Sequence, residues 1–139
     1  MQLPPFHLAI PVKELEETKS FYVDILGCSK GRTSEVWQDL DFFGHQLVLH
    51  INKNFQTHQP SNEVDGKHVP IPHFGVVLEW DIFNELAASL KEKHIEFVIE
   101  PYIRFEGQIG EQATMFFYDP SGNALEFKAF KNPQDLFAK

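Results

Sequence analysis

One order of elements runs through this chain twice, and that repeat limits its folds more than any other feature. "FHLAIPV" (Phe6–Val12) reads as a strand. "ELEETKSFYVDILG" follows, with Leu15, Thr18, Phe21, Tyr22 and Ile25 at helical spacing and Gly27 as a C-terminal stop. "GRTSEVWQDLDFF" and "HQLVLHI", parted by Gly44, read as short strands joined by tight turns. A polar segment broken by Pro60, Pro70 and Pro72 comes next, and then the order restarts. "HFGVVLEW" is a strand. "DIFNELAASLKEKH" is a helix, with Asp81 as N-cap and Ile82, Leu86 and Leu90 on one face. "IEFVIEPYIRF", "ATMFFYDP" and "NALEFKAF" are further strands.

The pattern is β-α-β-β-β, twice. His7 aligns with His73 at an offset of 66 and Gly44 with Gly122 at 78, so the second copy is longer by twelve residues, around "PYIRFEGQIGEQ". Residue identity between the copies is low; what repeats is the pattern. The expected organisation is a single domain, with module one at 4–52, a linker at 53–72, module two at 73–130 and a tail at 131–139. A chain of 139 residues buries roughly two-thirds of its unfolded surface, enough for a real core, and its fourteen Phe residues supply the material.

Charge removes some classes of partner. The formal net charge is −8 and no Lys/Arg-rich run occurs, so neither nucleic acid nor an anionic membrane is an expected partner. The N-terminus "MQLPPFHLAIPV" has no basic region and no long apolar segment, so neither a signal peptide nor a membrane span is expected. Cys28 is the only cysteine; no disulfide forms within the chain, which fits a reducing cytoplasm.

The chemistry starts from an oddity. "FFYDPSGNALEFKAF" (Phe116–Phe130) reads as a hairpin, yet Glu126 sits inside its second apolar run. Side chains alternate along a strand, so Ala124, Glu126, Lys128 and Phe130 share one face. His7 and His73 open the matching first strands of the two modules. If all three point into one concavity, they form a 2-His-1-carboxylate set suited to Fe(II), Mn(II) or a similar ion, with open positions for substrate or oxygen. Taken singly, such residues have plainer readings: a histidine at a strand start is usually a surface or satisfied polar group, and a strand glutamate often faces solvent. No local motif such as H-E-x-x-H is present.

The doubled pattern, the Phe-His-Leu and Pro-His-Phe contexts, and Asp119-Pro120-Ser121-Gly122-Asn123 followed by Leu125-Glu126-Phe127 together resemble the vicinal oxygen chelate superfamily. This is the glyoxalase, bleomycin-resistance and extradiol-dioxygenase group, and the resemblance spans nearly the whole chain. It implies an α+β fold in which two β-α-β-β-β modules form a cupped mixed sheet with helices on the outer face. It also implies His7, His73 and Glu126 as ligands of a divalent ion, Fe2+ or Mn2+ favoured and Zn2+ or Ni2+ as alternatives. A metal would supply the counter-charge that a buried Glu126 needs.

Aligning Gly44 with Gly122 sets Val48 opposite Glu126, where glyoxalase I-like members usually carry a fourth ligand. Three ligands instead resemble extradiol dioxygenases and fosfomycin-modifying enzymes. The implied function is a metal-dependent enzyme of the extradiol type, acting on a small molecule that chelates the metal through neighbouring oxygens. The alternatives are a metal-dependent isomerase, lyase or fosfomycin-type enzyme, or a metal-free binder like the bleomycin-resistance proteins. A homodimer is the expected assembly.

Four more residues are candidates. His50, on Val48's face, is either an acid/base or a polar residue lining the sheet edge. Tyr118 is either a proton donor or core. Arg104 either holds a substrate anion or belongs to a solvated loop, "RFEGQIGEQ", that Gly107 and Gly110 would let hinge over the cup. Lys128 is either a substrate contact or a cap on the rim. His45, His58, His68 and His94 receive no role.

Overall fold

The computed structural model describes residues 3–57 and 60–139. His58 and the neighbouring linker position 59 lie outside the described residues. The chain divides into two compact units, Met1–Thr57 with Asp119–Asn123, and His58–Tyr118 with Ala124–Lys139. Each carries a mixed sheet and one main helix, an α+β architecture with the β-α-β-β-β order present twice. Among the described residues, no helix is long and apolar enough to cross a membrane.

The first unit holds strand β1 (His7–Val12), helix α1 (Leu15–Ser20, continued by a π-helical turn at Phe21–Ile25), and strands β2 (Ser29–Thr33), β3 (Trp37–Phe42) and β4 (His45–Ile51). Gly27 ends the helical segment at φ 77°, a conformation that costs a residue without a Cβ little. The sheet order is β1-β4-β3-β2, with β1 parallel to β4 and the other pairs antiparallel. Alternation divides its side chains. Ile10, Val12, Leu40, Phe42, Leu47 and Leu49 are buried together with Leu15, Phe21 and Tyr22 of the helical segment. The other face carries His7, Ala9, Gln46, Val48 and His50, since His7 pairs with Gln46, Ala9 with Val48 and Pro11 with His50.

The "DPSGN" turn belongs to this unit, and its side chains are structural. Buried Asp119 accepts hydrogen bonds from the Tyr22 hydroxyl at 2.9 Å, from the backbone N–H groups of Ser121 and Asn123, and from the Asn123 amide. The Ser121 hydroxyl accepts from the Lys13 N–H and bonds the Thr18 hydroxyl, both at 2.9 Å. The Asn123 amide also donates to the Pro11 carbonyl.

The second unit starts with a hairpin, strands β5 (Ser61–Val64) and β6 (Lys67–Pro70), inside the stretch expected to be a linker. Next come β7 (His73–Phe74) and β8 (Val77–Leu78), helix α2 (Trp80–Glu92), and strands β9 (Phe97–Arg104), β10 (Gln112–Tyr118) and β11 (Ala124–Phe130). The expected strand at His73–Trp80 is thus broken in two: β7 and β8 both pair parallel with β11, and Gly75 falls in the gap. A Cβ at Gly75 would land on the Glu126 carbonyl oxygen, so only glycine allows this close approach. α2 starts earlier than expected, with Glu79 at the cap position and Asp81 inside the first turn, where a negative charge suits the helix dipole. Its buried residues are Phe83, Ala87 and Leu90, whereas Ile82 is exposed. Leu125, Phe127 and Ala129 of β11 are fully buried, and Phe127 stacks on Phe117 with ring centroids 5.8 Å apart.

Candidate functional site

The two modules match in register as well as in order. His7 pairs with Gln46 in the first sheet, and His73 with Ala124 in the second. Two residues further along β4 and β11 stand Val48 and Glu126. The positions expected to correspond therefore do, and Val48 is a buried apolar residue that offers no ligand atom.

In the second unit, β7 and β11 bring His73 and Glu126 together. The His73 Nδ1 lies 2.7 Å from the Pro70 carbonyl, which can only accept, so Nδ1 carries a proton. That leaves Nε2 pointing at Glu126, 2.9 Å from Oε2. The other carboxylate oxygen, Oε1, accepts from the Thr114 hydroxyl at 2.8 Å and lies 3.3 Å from the Lys128 Nζ. The His73 ring packs edge-on against Phe116. The Glu126 side chain is only 13 % exposed.

The electrostatics follow from these contacts. Glu126 holds His73 above the usual histidine range, with the Pro70 carbonyl adding to the effect and burial opposing it. Burial pushes the Glu126 carboxyl up, but the His73 bond, the Lys128 charge and the Thr114 bond outweigh it and leave it below the usual range. A bare Nε2 lone pair facing a carboxylate would be repulsive. A cation must lie between them, and in this arrangement a proton serves. A metal ion fits the same chemistry: one imidazole nitrogen with its tautomer set from behind, and one carboxylate with its second oxygen already held.

His7 belongs to the first unit. Its Nδ1 lies 2.9 Å from the Gln46 Oε1, and the Gln46 amide donates to Asp39 at 3.5 Å, which sets the amide so that its oxygen faces the ring. With Nδ1 facing Gln46, Nε2 is the ring nitrogen left to ligate. Among the described residues, no three His, Cys, Asp or Glu side chains form a group able to hold a metal.

His50 lines an open cleft in the first unit with Pro11, Asn52 and Lys53. Tyr118 is 40 % exposed and lines a cleft with His94, Glu96 and Val98. Arg104 lies on β9 and pairs with Asp65 at the tip of the β5–β6 hairpin. The glycine loop after β9 is braced: Gly107 N–H donates to the Glu111 side chain and Gly110 N–H to Asp135. Buried Cys28 has its thiol pushed up to about 12, chiefly by burial and then by Asp41, so it is no nucleophile at neutral pH. Thr114 and the Pro70 carbonyl went unforeseen. Thr114, a lone hydroxyl in "ATMFFY", was the available signal.

The model of the Glyoxalase/Bleomycin resistance protein/Dioxygenase superfamily matches residues 5–127. A glyoxalase/bleomycin resistance protein/dioxygenase from Alicyclobacillus acidocaldarius is similar in structure, with 38% identity, 95% of each chain covered and a TM-score of 0.78. The fosfomycin resistance protein FosX from Listeria monocytogenes shares the fold at 17% identity, covering 98% of this chain and 100% of that one, TM-score 0.70. So does a lactoylglutathione lyase from Agrobacterium tumefaciens at 14% identity, 96% of each chain covered, TM-score 0.66. No curated protein matches the chain.

Proposed function

The chain belongs to the glyoxalase/bleomycin resistance protein/dioxygenase superfamily, and on that premise we propose that it is a metal-dependent enzyme acting on a small molecule with two neighbouring oxygens. One observation carries the reading: the His73 Nε2, with Nδ1 committed to the Pro70 carbonyl, and the Glu126 Oε2 converge to 2.9 Å, a nitrogen and a carboxylate oxygen side by side as neighbouring ligands of one ion would be. His73 and Glu126 are two ligands of a divalent ion, Fe2+ or Mn2+ first, and His7 is the third. When bound, the ion supplies Lewis acidity toward a chelating substrate. Pro70 fixes which His73 nitrogen ligates, and Thr114 holds the Glu126 carboxylate in place. Lys128, beside that carboxylate, is placed to meet a negative oxygen on the substrate. Val48, the register partner of Glu126 between modules, favours a three-ligand set of the extradiol or fosfomycin type over a four-ligand lyase. The working assembly is a homodimer.

A second reading has its own support. The Lys128 Nζ already gives Glu126 a counter-charge at 3.3 Å, which suits a metal-free binder of the bleomycin-resistance kind. Elemental analysis of protein purified without chelator and under low oxygen separates the two, with Glu126→Ala and His7→Ala beside the wild type. The enzyme reading expects about one divalent ion per chain, lost in both variants. No ion in the wild type, even after reconstitution with Fe2+, Mn2+ and Zn2+, would overturn it and leave the binder.

A further inference from the structure

The β5–β6 hairpin lies on the face of the second sheet that carries Glu126. Its Val64 and Val69 pack with Ile99, Phe116 and Tyr102, and Phe116 is the β10 partner of Glu126. The tip turns through Asp65 and Gly66, both at positive φ (53° and 73°), a two-residue Asp-Gly turn. There the Asp65 Oδ2 accepts from the Arg104 Nε at 2.6 Å and from the Tyr102 hydroxyl at 3.1 Å. The Lys67 Nζ sits 4.6 Å above the Tyr102 ring. Tyr102 pairs with Thr114, which pairs with Lys128, so Tyr102 stands one row of side chains from Glu126. Arg104 stands one row further, opposite Gln112.

Arg104, Tyr102 and Lys67 together make a receptor for an oxyanion: a planar guanidinium, a hydroxyl donor and a second positive charge. In this structure the oxyanion is the chain's own carboxylate. Asp65 is 41% exposed and sits on a turn, so it can leave without breaking a strand ladder, and an ion pair this accessible holds weakly. We infer that Asp65 is an internal surrogate for an anionic group on the substrate, a carboxylate or a phosphate, which displaces it from Arg104 and Tyr102 and releases the hairpin tip. The tip is then a latch that opens only for ligands bearing that group, and Arg104 sets the substrate class. This rests on the reading of the Glu126 face as the substrate site, but the anion receptor can be measured without metal.

The test follows the backbone N–H resonances of the β5–β6 hairpin in the full chain by NMR, present in every variant, while inorganic phosphate or acetate is added at constant ionic strength. Wild type, Asp65→Asn and Arg104→Met are compared; asparagine tolerates the positive φ of the turn. With Asp65 removed as competitor, at least one anion should bind about fivefold tighter than to wild type. Arg104→Met should lose that binding, and in wild type the anion should speed amide exchange across Ser61–Pro70. Preference for phosphate assigns a phosphoryl group and preference for acetate a carboxylate. Unchanged affinity in Asp65→Asn, or an Arg104→Met hairpin that still responds to the anion as wild type does, overturns the inference. Metal content of the same samples separates this failure from failure of the metal reading, because neither variant removes a proposed ligand.

Discussion

At the scale of single residues, Glu126 and Asp119 show two ways of keeping a carboxylate inside an apolar strand or turn. Asp119 is held by four donors, two of them backbone N–H groups. Asp119→Ala strands those donors and should cost about 3 kcal/mol, against about 1 kcal/mol for Tyr22→Phe, both read from urea unfolding. Equal losses would mean that the turn does not depend on the carboxylate. Glu126 is held by His73, Thr114 and Lys128, and its pairing with His73 makes the metal-free protein pH-sensitive. A histidine titrating above its ordinary 6.5 stabilises the fold below that value, and the contribution fades as pH rises through the raised folded value. A carboxyl titrating below its ordinary 4.5 stabilises above that value, and the contribution fades as pH falls through the lowered folded value. The pair therefore contributes fully between those two ordinary values. Glu126→Gln removes the main cause of the His73 shift, so the His73 ring titration seen by NMR should move down. An unmoved midpoint would contradict the pairing. A divalent ion competes with the same proton, so metal affinity should rise as pH climbs through the His73 titration.

At the scale of elements, the repeat was legible because alternation and helical spacing reflect burial on one face, and each module buries one. The shared face of Glu126 and Lys128 followed from alternation alone. What alternation cannot give is register, so Thr114, twelve residues from Glu126 in sequence, became visible only once β10 and β11 were paired. The hairpin was hidden by Pro60, Pro70 and Pro72, which read as breakers, although "NEVDGKHV" carries an Asp-Gly turn between two short strands. Pro60 stands just before β5 and Pro70 ends β6, positions where a missing N–H disturbs no interior ladder. The Asp81 N-cap expectation missed by two residues because the helix opens through backbone bonding from Phe83 to Glu79. Gly75 had a sequence signal too, a lone glycine inside "HFGVVLEW". Gly75→Ala would force β7 away from the Glu126 backbone and should destabilise the fold by about 1–3 kcal/mol. It should also weaken metal binding, because the 2.9 Å approach of His73 to Glu126 depends on that strand spacing. A calorimetric melt and a metal titration check both. A stable variant with wild-type metal affinity would show that the close approach is incidental.

At the scale of the whole molecule, the decisive question is whether one site draws its ligands from one chain or from two. His7 lies in one compact unit, His73 and Glu126 in the other. The superfamily resemblance admits two assemblies: modules of one chain serving one site, or modules of two copies serving it. In a symmetric dimer of the second kind, each site takes His7 from one copy and the His73–Glu126 pair from its partner. His7→Ala and Glu126→Ala are each expected to lose the ion as pure proteins. Mixed, unfolded together and refolded, they give hybrid dimers in which one site inherits both lesions and the other inherits neither. Exchange of modules between copies predicts metal binding recovered at about one ion per hybrid dimer, measured by elemental analysis after separating the hybrid by a charge tag. If each site were built within a single chain, every site in the hybrid would keep one lesion and no metal would return. Recovery would tie metal binding to dimerisation, and dilution below the dimer dissociation constant would then release the ion; no recovery would assign each site to one chain.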